Sequence, residues 1–339
     1  MSHSKSSTWI SDGEKYASIC LEVKLDNNFS SIEFSLDRWA LSEVSFEIPV
    51  HWKEWLGSIH SEELKASNFF LLSKLRSSTV GVLDDENQIL QKRVWNFYVG
   101  LLLCSNFSPA NEPVLITGSC QDGAIGIRQH QSLDSPVSTI IHLYPTIHVT
   151  DITSGALLGE NLERIGSAPI SGGYWRLCSI LRIYVEARAT PSIIDRIHQY
   201  CRCIDGLILP EVGKTQKQFK SRTEIFIGSN HHRLMGEVYD VRSAVEHLHE
   251  NLYLENFDRA TRLELARKEA IIEYIARTSI ARIISNEKLW SHFSNADALK
   301  VFWDLPFDER KKIWGDPVDP LLALSDFNPQ LVSDGELGS

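Results

Sequence analysis

The sequence has little of what a secreted, membrane-bound or broadly nucleic-acid-coating protein requires. Its six cysteines, Cys20, Cys104, Cys120, Cys178, Cys201 and Cys203, are sparse for 339 residues and show no framework spacing. That argues against a disulfide-stapled fold and for reduced thiols. No apolar stretch reaches the ~18–20 residues of a membrane span. The longest apolar cluster, Val94–Cys104, is interrupted by Asn96 and reads as a buried helix. Met1–Trp9 lacks the apolar core of a secretory signal. The expected setting is therefore cytoplasmic, with no membrane partner. Basic excess is also missing: 34 Lys plus Arg stand against 44 Asp plus Glu, a net charge of −10. Any nucleic-acid site must then be a local patch on an acidic chain. There is no internal repeat and no low-complexity tract.

What is present divides near residue 150. Residues 1–80 read mostly as short strands, because Ser18–Leu25, Ile32–Leu36 and Val44–Ile48 alternate apolar and polar positions, with a turn at Asp26-Asn27-Asn28. Residues 88–104 read as a helix. Residues 110–150 return to strand-like runs at Val114–Ile116 and Thr139–Leu143, punctuated by Gly and Pro. The segment 1–150 is expected to be a mixed α/β domain.

Helical spacing dominates from Asp151 onward. Helices are expected to about Ile165, then over Trp175–Ala189, Ile193–Leu209, Lys214–Ile227, Arg233–Glu250 and Asp258–Ser285. The Arg233–Glu250 stripe is Leu234, Val238, Val241, Val245 and Leu248. Such stripes need burial against one another, so an antiparallel bundle over 151–310 is the economical arrangement. Trp303 and Trp314 read as packing anchors. The tail, 315–339, is rich in Pro, Asp and Ser and reads as loosely ordered. The fold class is α+β: a mixed N-terminal domain followed by a C-terminal helical bundle.

Chemistry concentrates in Tyr239-Asp240-Val241-Arg242-Ser243-Ala244-Val245-Glu246-His247. Taken alone, an Arg and a His five apart on a helix are a common pair. The run nevertheless resembles the active-site motif of the HEPN ribonucleases: an Arg, a polar residue, a short spacer, then a His. It is similar to the Tyr-x-x-Arg-Ser-x-x-x-His form of Apea-like HEPN proteins. The upstream Arg196–Ile208 and Phe219–Arg222 segments look like the family's first two core helices, and Ile275-Ala276-Arg277 like part of its last. The resemblance covers roughly residues 190–290. It departs from the usual pattern at Leu248, where Gly commonly follows the His. His249 also satisfies the spacing, with six residues between it and Arg242 where His247 has four. At ~100° per residue, His247 lies about 140° from Arg242 around the helix and His249 about 20°. Both histidines remain candidates, with His247 selected by the family alignment.

The resemblance implies a helical bundle that acts as a homodimer, with the motif lining a shared cleft. It implies endoribonuclease activity without metal or cofactor, in defence or toxin-like growth control, and products with a 2′,3′-cyclic phosphate and a 5′-hydroxyl. The alternative is a non-catalytic HEPN module that binds RNA, a nucleotide or a protein partner. The residue types suit the cleavage chemistry. A histidine exchanges protons near neutrality. An arginine stays cationic opposite developing phosphoryl charge. Ser243 is placed to orient the phosphate. The first 150 residues resemble no named family and are expected to hold a sensor or a site for a regulatory partner or trigger.

For RNA contact the candidates are Lys214, Lys217 and Lys220, spaced three apart, with Arg222 and, before the motif helix, His232. Residues 194–290 carry 15 Lys plus Arg against 14 Asp plus Glu, so the acidity lies elsewhere. Other patterns fail. Val212-Gly213-Lys214-Thr215 lacks the upstream Gly of a phosphate loop, since that position is Ile208. Gly118, Gly123 and Gly126 have the wrong spacing for a dinucleotide fingerprint. Cys201 and Cys203, two apart on a helix beside His198, point in nearly opposite directions, and His142 and His148 have no nearby carboxylate pair, so no metal ligands are assigned.

Overall fold

The computed structural model describes residues 9–26, 29–34, 38–42, 50–77, 84–137, 145–167, 173–247, 257–325, 327 and 329. The chain forms two compact units. The first holds residues to Ser135 and the Tyr144–Glu163 stretch; the second holds the rest. The described residues are α+β, and no helix among them is long and apolar enough to cross a membrane.

The first unit is built on a six-stranded sheet: β1 (Glu14–Leu21), β2 (Ser31–Phe34), β3 (Arg38–Leu41), β4 (Phe69–Arg76), β5 (Val114–Gln121) and β6 (Ala124–Ser132), in the order β2-β3-β4-β1-β5-β6. Every pairing is antiparallel. β1 is central, and residues 15–21 are all buried, as expected of a strand covered on both faces. Tyr16 and Cys20 point to one face, where they join Phe70, Leu72, Ile116, Ile125 and Ile127 in a core closed by Leu56 and Leu64 of α1 (Val50–Ala66). Toward the other face, Lys15 reaches Asp84 and Glu86 at the start of α2 (Asp85–Cys104).

α2 also packs on α3 (Val149–Gly166) through glycines. A Cβ on Gly100 would lie 2.1 Å from the Gly155 carbonyl oxygen, and one on Gly159 2.9 Å from the Phe97 Cα. The two backbones are therefore nearly in contact, a distance that only residues without a side chain permit.

Three sequence expectations change here. Residues 1–80 contain a 17-residue helix, α1, as well as strands. Its apolar period is hidden because Trp55 and Ile59 face solvent, and Gly57, at φ 74°, breaks it into two segments. The first strand runs from Glu14 and not Ser18, while Leu25 makes only an isolated bridge to Ile147. The expected helix after Asp151 exists as α3, but its residues to Glu163 belong with the sheet-bearing unit. The expected strands at 44–48 and 139–143 lie outside the described residues.

The second unit contains α4 (Trp175–Arg188), α5 (Ile193–Ile208), α6 (Thr215–Ile227), α7 (His232–Glu246), α8 (Arg259–Ser285), α9 (Glu287–Phe293), α10 (Ala296–Asp304) and α11 (Phe307–Trp314). α4 and α5 run antiparallel: Arg176 Nε donates to the Gly206 carbonyl and Tyr184 packs on Tyr200. α6 and α7 do likewise, with Gln216 bonded to Asp240 and Glu224 to His232.

Between α4, α5 and α8 lies a buried ionic cluster. Arg196 donates to Glu269 at 2.8 Å and to the carbonyls of Thr190 and Pro191. Glu273 accepts from the Tyr184 hydroxyl and from Arg277, each at 2.9 Å. Arg188 lies 3.9 Å from the same Glu273 oxygen. The start of the expected loose tail is packed: Val318 N–H donates to the Phe226 carbonyl and Pro320 is buried.

Candidate functional site

α5 and α7 present facing polar positions. Asp205 lies one turn from the end of α5, on the flank of its apolar stripe. Arg242 lies one turn from the end of α7. Arg242 Nη2 is 3.3 Å from Asp205 Oδ2, and Nη1 is 2.5 Å from Glu246 Oε2, one turn along its own helix. The guanidinium also stacks on Tyr239, 5.2 Å from the ring centroid. Arg242 and Asp205 side chains are each 16% exposed, while Glu246 is 48% exposed. Arg242 is thus fixed by a buried partner on α5 and a solvated partner on α7.

Burial pushes the Asp205 carboxyl up to about 6; Arg242 pulls it down and Glu246 pushes it up, but burial wins. Its Oδ1 is buried and accepts no hydrogen bond among the described residues. His198, two turns earlier on α5, is half-buried. Burial lowers its pKa first, and Arg202 and Arg242 lower it further. Its imidazole is therefore neutral at pH 7.

The other motif residues sit close by in the chain. Ser243 is half-buried, and its carbonyl accepts the His247 N–H at 3.1 Å. His247 is exposed and caps α7, with φ −93° and ψ 8°. The helix ends there, so the angular comparison between His247 and His249 no longer applies: His247 has left the helical path. His249 lies outside the described residues.

The basic candidates separate onto different surfaces. Lys214, Lys217 and Arg222 line an open groove of about 510 Å³ between α6, α10 and α11, together with Gln218, Ser221, Glu224, Trp303, Phe307 and Arg310. Lys220 instead lies over α7, its Cδ 3.4 Å from where a Cβ on Gly236 would stand. The three lysines do not share one face, since each three-residue step slips about 60° around the helix and Lys220 ends about 120° from Lys214. His232 is tied to Glu224.

Arg222 donates to the Ile208 and Leu209 carbonyls, both at 2.6 Å, and so satisfies the end of α5 as well as facing the groove. Arg222 and Arg310 both lie over Trp303, at 5.3 and 5.1 Å. Burial lowers the pKa of both, and Arg310 lowers that of Arg222 further. Two guanidiniums crowded on one indole and exposed Lys217 leave the lining net positive beside Glu224, although Lys214 is paired with Glu211.

Sequence reasoning missed Asp205, His198, Glu246, Trp303 as a cation platform, and Arg310. The signal for the first two was available: residues 198, 202 and 205 share one polar face of α5, about 100° around from the Ile197–Cys201–Ile204–Ile208 stripe. No protein-family model matches the chain, and no curated protein or solved structure is significantly similar to it.

Proposed function

We propose that the chain is a metal-independent endoribonuclease of HEPN type, acting as a homodimer through its helical unit. The observation that carries this reading is Arg242 held against Asp205 between α5 and α7, with exposed His247 at the adjoining helix end. In the proposed reaction the substrate 2′-hydroxyl attacks the neighbouring phosphorus, the P–O5′ bond breaks, and the 5′-oxygen leaves as a hydroxyl carrying the proton that the histidine passes on from the 2′-hydroxyl. His247 exchanges the proton, or His249 does in its place. Arg242 neutralises charge on the non-bridging oxygens. Ser243 orients the phosphate, and Asp205 is a positioning residue for the guanidinium. Lys214, Lys217 and Arg222 in the groove would hold the flanking strand. Leu234, Val241 and Val245 on α7 are only half-buried, which suits a helix face reserved for a second copy.

The test is RNA cleavage in EDTA by the full chain. Wild type cleaves and leaves 2′,3′-cyclic phosphate ends. Arg242→Lys keeps the charge but loses the planar fork, and its rate falls at least 100-fold. His247→Ala, compared with His249→Ala, identifies the histidine that acts. Cleavage indifferent to Arg242→Lys and to both histidine changes would overturn the proposal.

One observation favours a second reading. Arg242 already has two carboxylate partners, as an arginine that only joins α5 to α7 would. A non-catalytic binding module then predicts no cleavage and a loss of helical stability in Arg242→Ala.

A further inference from the structure

We propose that His60, Glu63 and His130 form a site for a divalent first-row transition cation of the zinc class. The three residues belong to the sheet-bearing unit and are independent of the ribonuclease reading. One ligand atom from each lies within 4.8 Å of the others. His60 and Glu63 are one turn apart on the second segment of α1, with Nδ1 2.8 Å from Oε2. The His60 and His130 rings are 4.5 Å apart at 47°.

His130 reaches this place through a bulge. Thr117 pairs with Gln129, but the next residue, Gly118, pairs with Ile127, so Arg128 is left without a partner on β5. Ahead of the bulge, Ile125 and Ile127 face α1. Without it, the alternation of a strand would send His130 to the opposite face, since 125, 127 and 130 do not share parity. The extra residue reverses the alternation. His130 then lies opposite Ile116, which belongs to the α1-side core. Bulges at sheet edges commonly re-aim a side chain in this way, and β6 is an edge strand.

The re-aimed ring has an unmet need. His130 Nε2 is buried and has no hydrogen-bond partner among the described residues. A buried polar nitrogen left in that state is costly. Two imidazole nitrogens and a carboxylate oxygen are the donor set of three-ligand zinc sites. Metal–ligand bonds of about 2.0–2.1 Å place donors about 3.4 Å apart in a tetrahedron. The His60 and Glu63 side chains are 44% and 26% exposed, which leaves both room to adjust to that spacing. Occupied, the site would tie α1 to the sheet edge and leave a coordination position open.

The full chain, stripped with EDTA and desalted, is titrated with zinc chloride, and retained zinc is counted by mass spectrometry. Wild type is expected to hold one more zinc per chain than His130→Gln or His60→Gln. Cobalt titration should give a visible d–d absorption that both variants lose. Zinc should raise the melting temperature of wild type only. If His130→Gln does not fold in EDTA, His60→Gln, a change on a half-exposed helix position, decides the same question. Equal zinc retention by wild type and the folded variants, or no retention by wild type, would overturn the proposal.

Discussion

The Asp205 carboxyl offers a quantitative test of the site's electrostatics. The perturbation is Asp205→Asn, which keeps the shape and the ability to accept from Arg242 but removes the titration. In the folded chain this carboxyl titrates near 6, against an ordinary value of 3.8, because burial outweighs the pull of Arg242. A folded pKa above the unfolded one means that the native state holds the proton more tightly. Its stabilising contribution is complete below pH 3.8 and is lost as pH rises through about 6. At 1.36 kcal/mol per pH unit the full loss approaches about 3 kcal/mol. The 16% exposure of the side chain brings in some solvent screening, so about 2–3 kcal/mol is expected. The assay is urea denaturation of wild type and Asp205→Asn at intervals from pH 4 to pH 7.5, in constant salt. Every other group is common to both proteins, so the difference in unfolding free energy isolates Asp205. That difference should shift against wild type by about 2–3 kcal/mol across the range, with its midpoint between pH 4 and 6. A difference that stays flat with pH, or moves in favour of wild type, would show that the pair with Arg242 dominates burial and would refute the reasoning.

Two further outcomes follow from packing. Arg196→Met removes the partner of a fully buried carboxylate and the donor to two turn carbonyls; it should destabilise by about 3–5 kcal/mol. Adding Glu269→Gln should recover a substantial part, so equal melting temperatures for the single and double variants would show the pair to be uncoupled. Gly155→Val would set a Cβ 2.9 Å from the backbone of Leu101. It should cost more than 3 kcal/mol, whereas Gly126→Ala, with 3.7 Å to its nearest neighbour, should change thermal stability by less than about 1 kcal/mol.

The helical half was legible because burial on one side imposes a 3.6-residue period. α4, α5, α6 and α8 begin and end within about two residues of the positions that capping and spacing imply. Asp258 and Ser192 cap α8 and α5 as side-chain acceptors. The sheet half was less legible. β1, buried on both faces, loses the alternation that marks a half-exposed strand, and α1 carries its large apolar residues on the wet side.

The site divides in the same way. Arg242, Ser243 and His247 form a local run that a motif can capture. Asp205 comes from another helix, so only the three-dimensional pairing of α5 with α7 reveals it. His130 depends on a bulge opposite Thr117 and Gly118, and a bulge adds its extra residue without marking it in the alternation of a single strand.

Whether Arg242 serves chemistry or scaffolding turns on the inequality of its two partners. Asp205 is buried, on another helix, and titrates near 6; it fixes where the guanidinium stands. Glu246 is nearly half exposed and one turn away on the same helix. Such solvated helix pairs contribute only a few tenths of a kcal/mol. A phosphate offered to the same nitrogen forms a charge-assisted bond of the same kind, so exchanging the solvated Glu246 for it costs little. Arg242 would then exchange one anion for another without moving, because Asp205 and the Tyr239 ring keep it in place. On the proposed reading, Glu246 holds the guanidinium in its working geometry until the substrate phosphate replaces it.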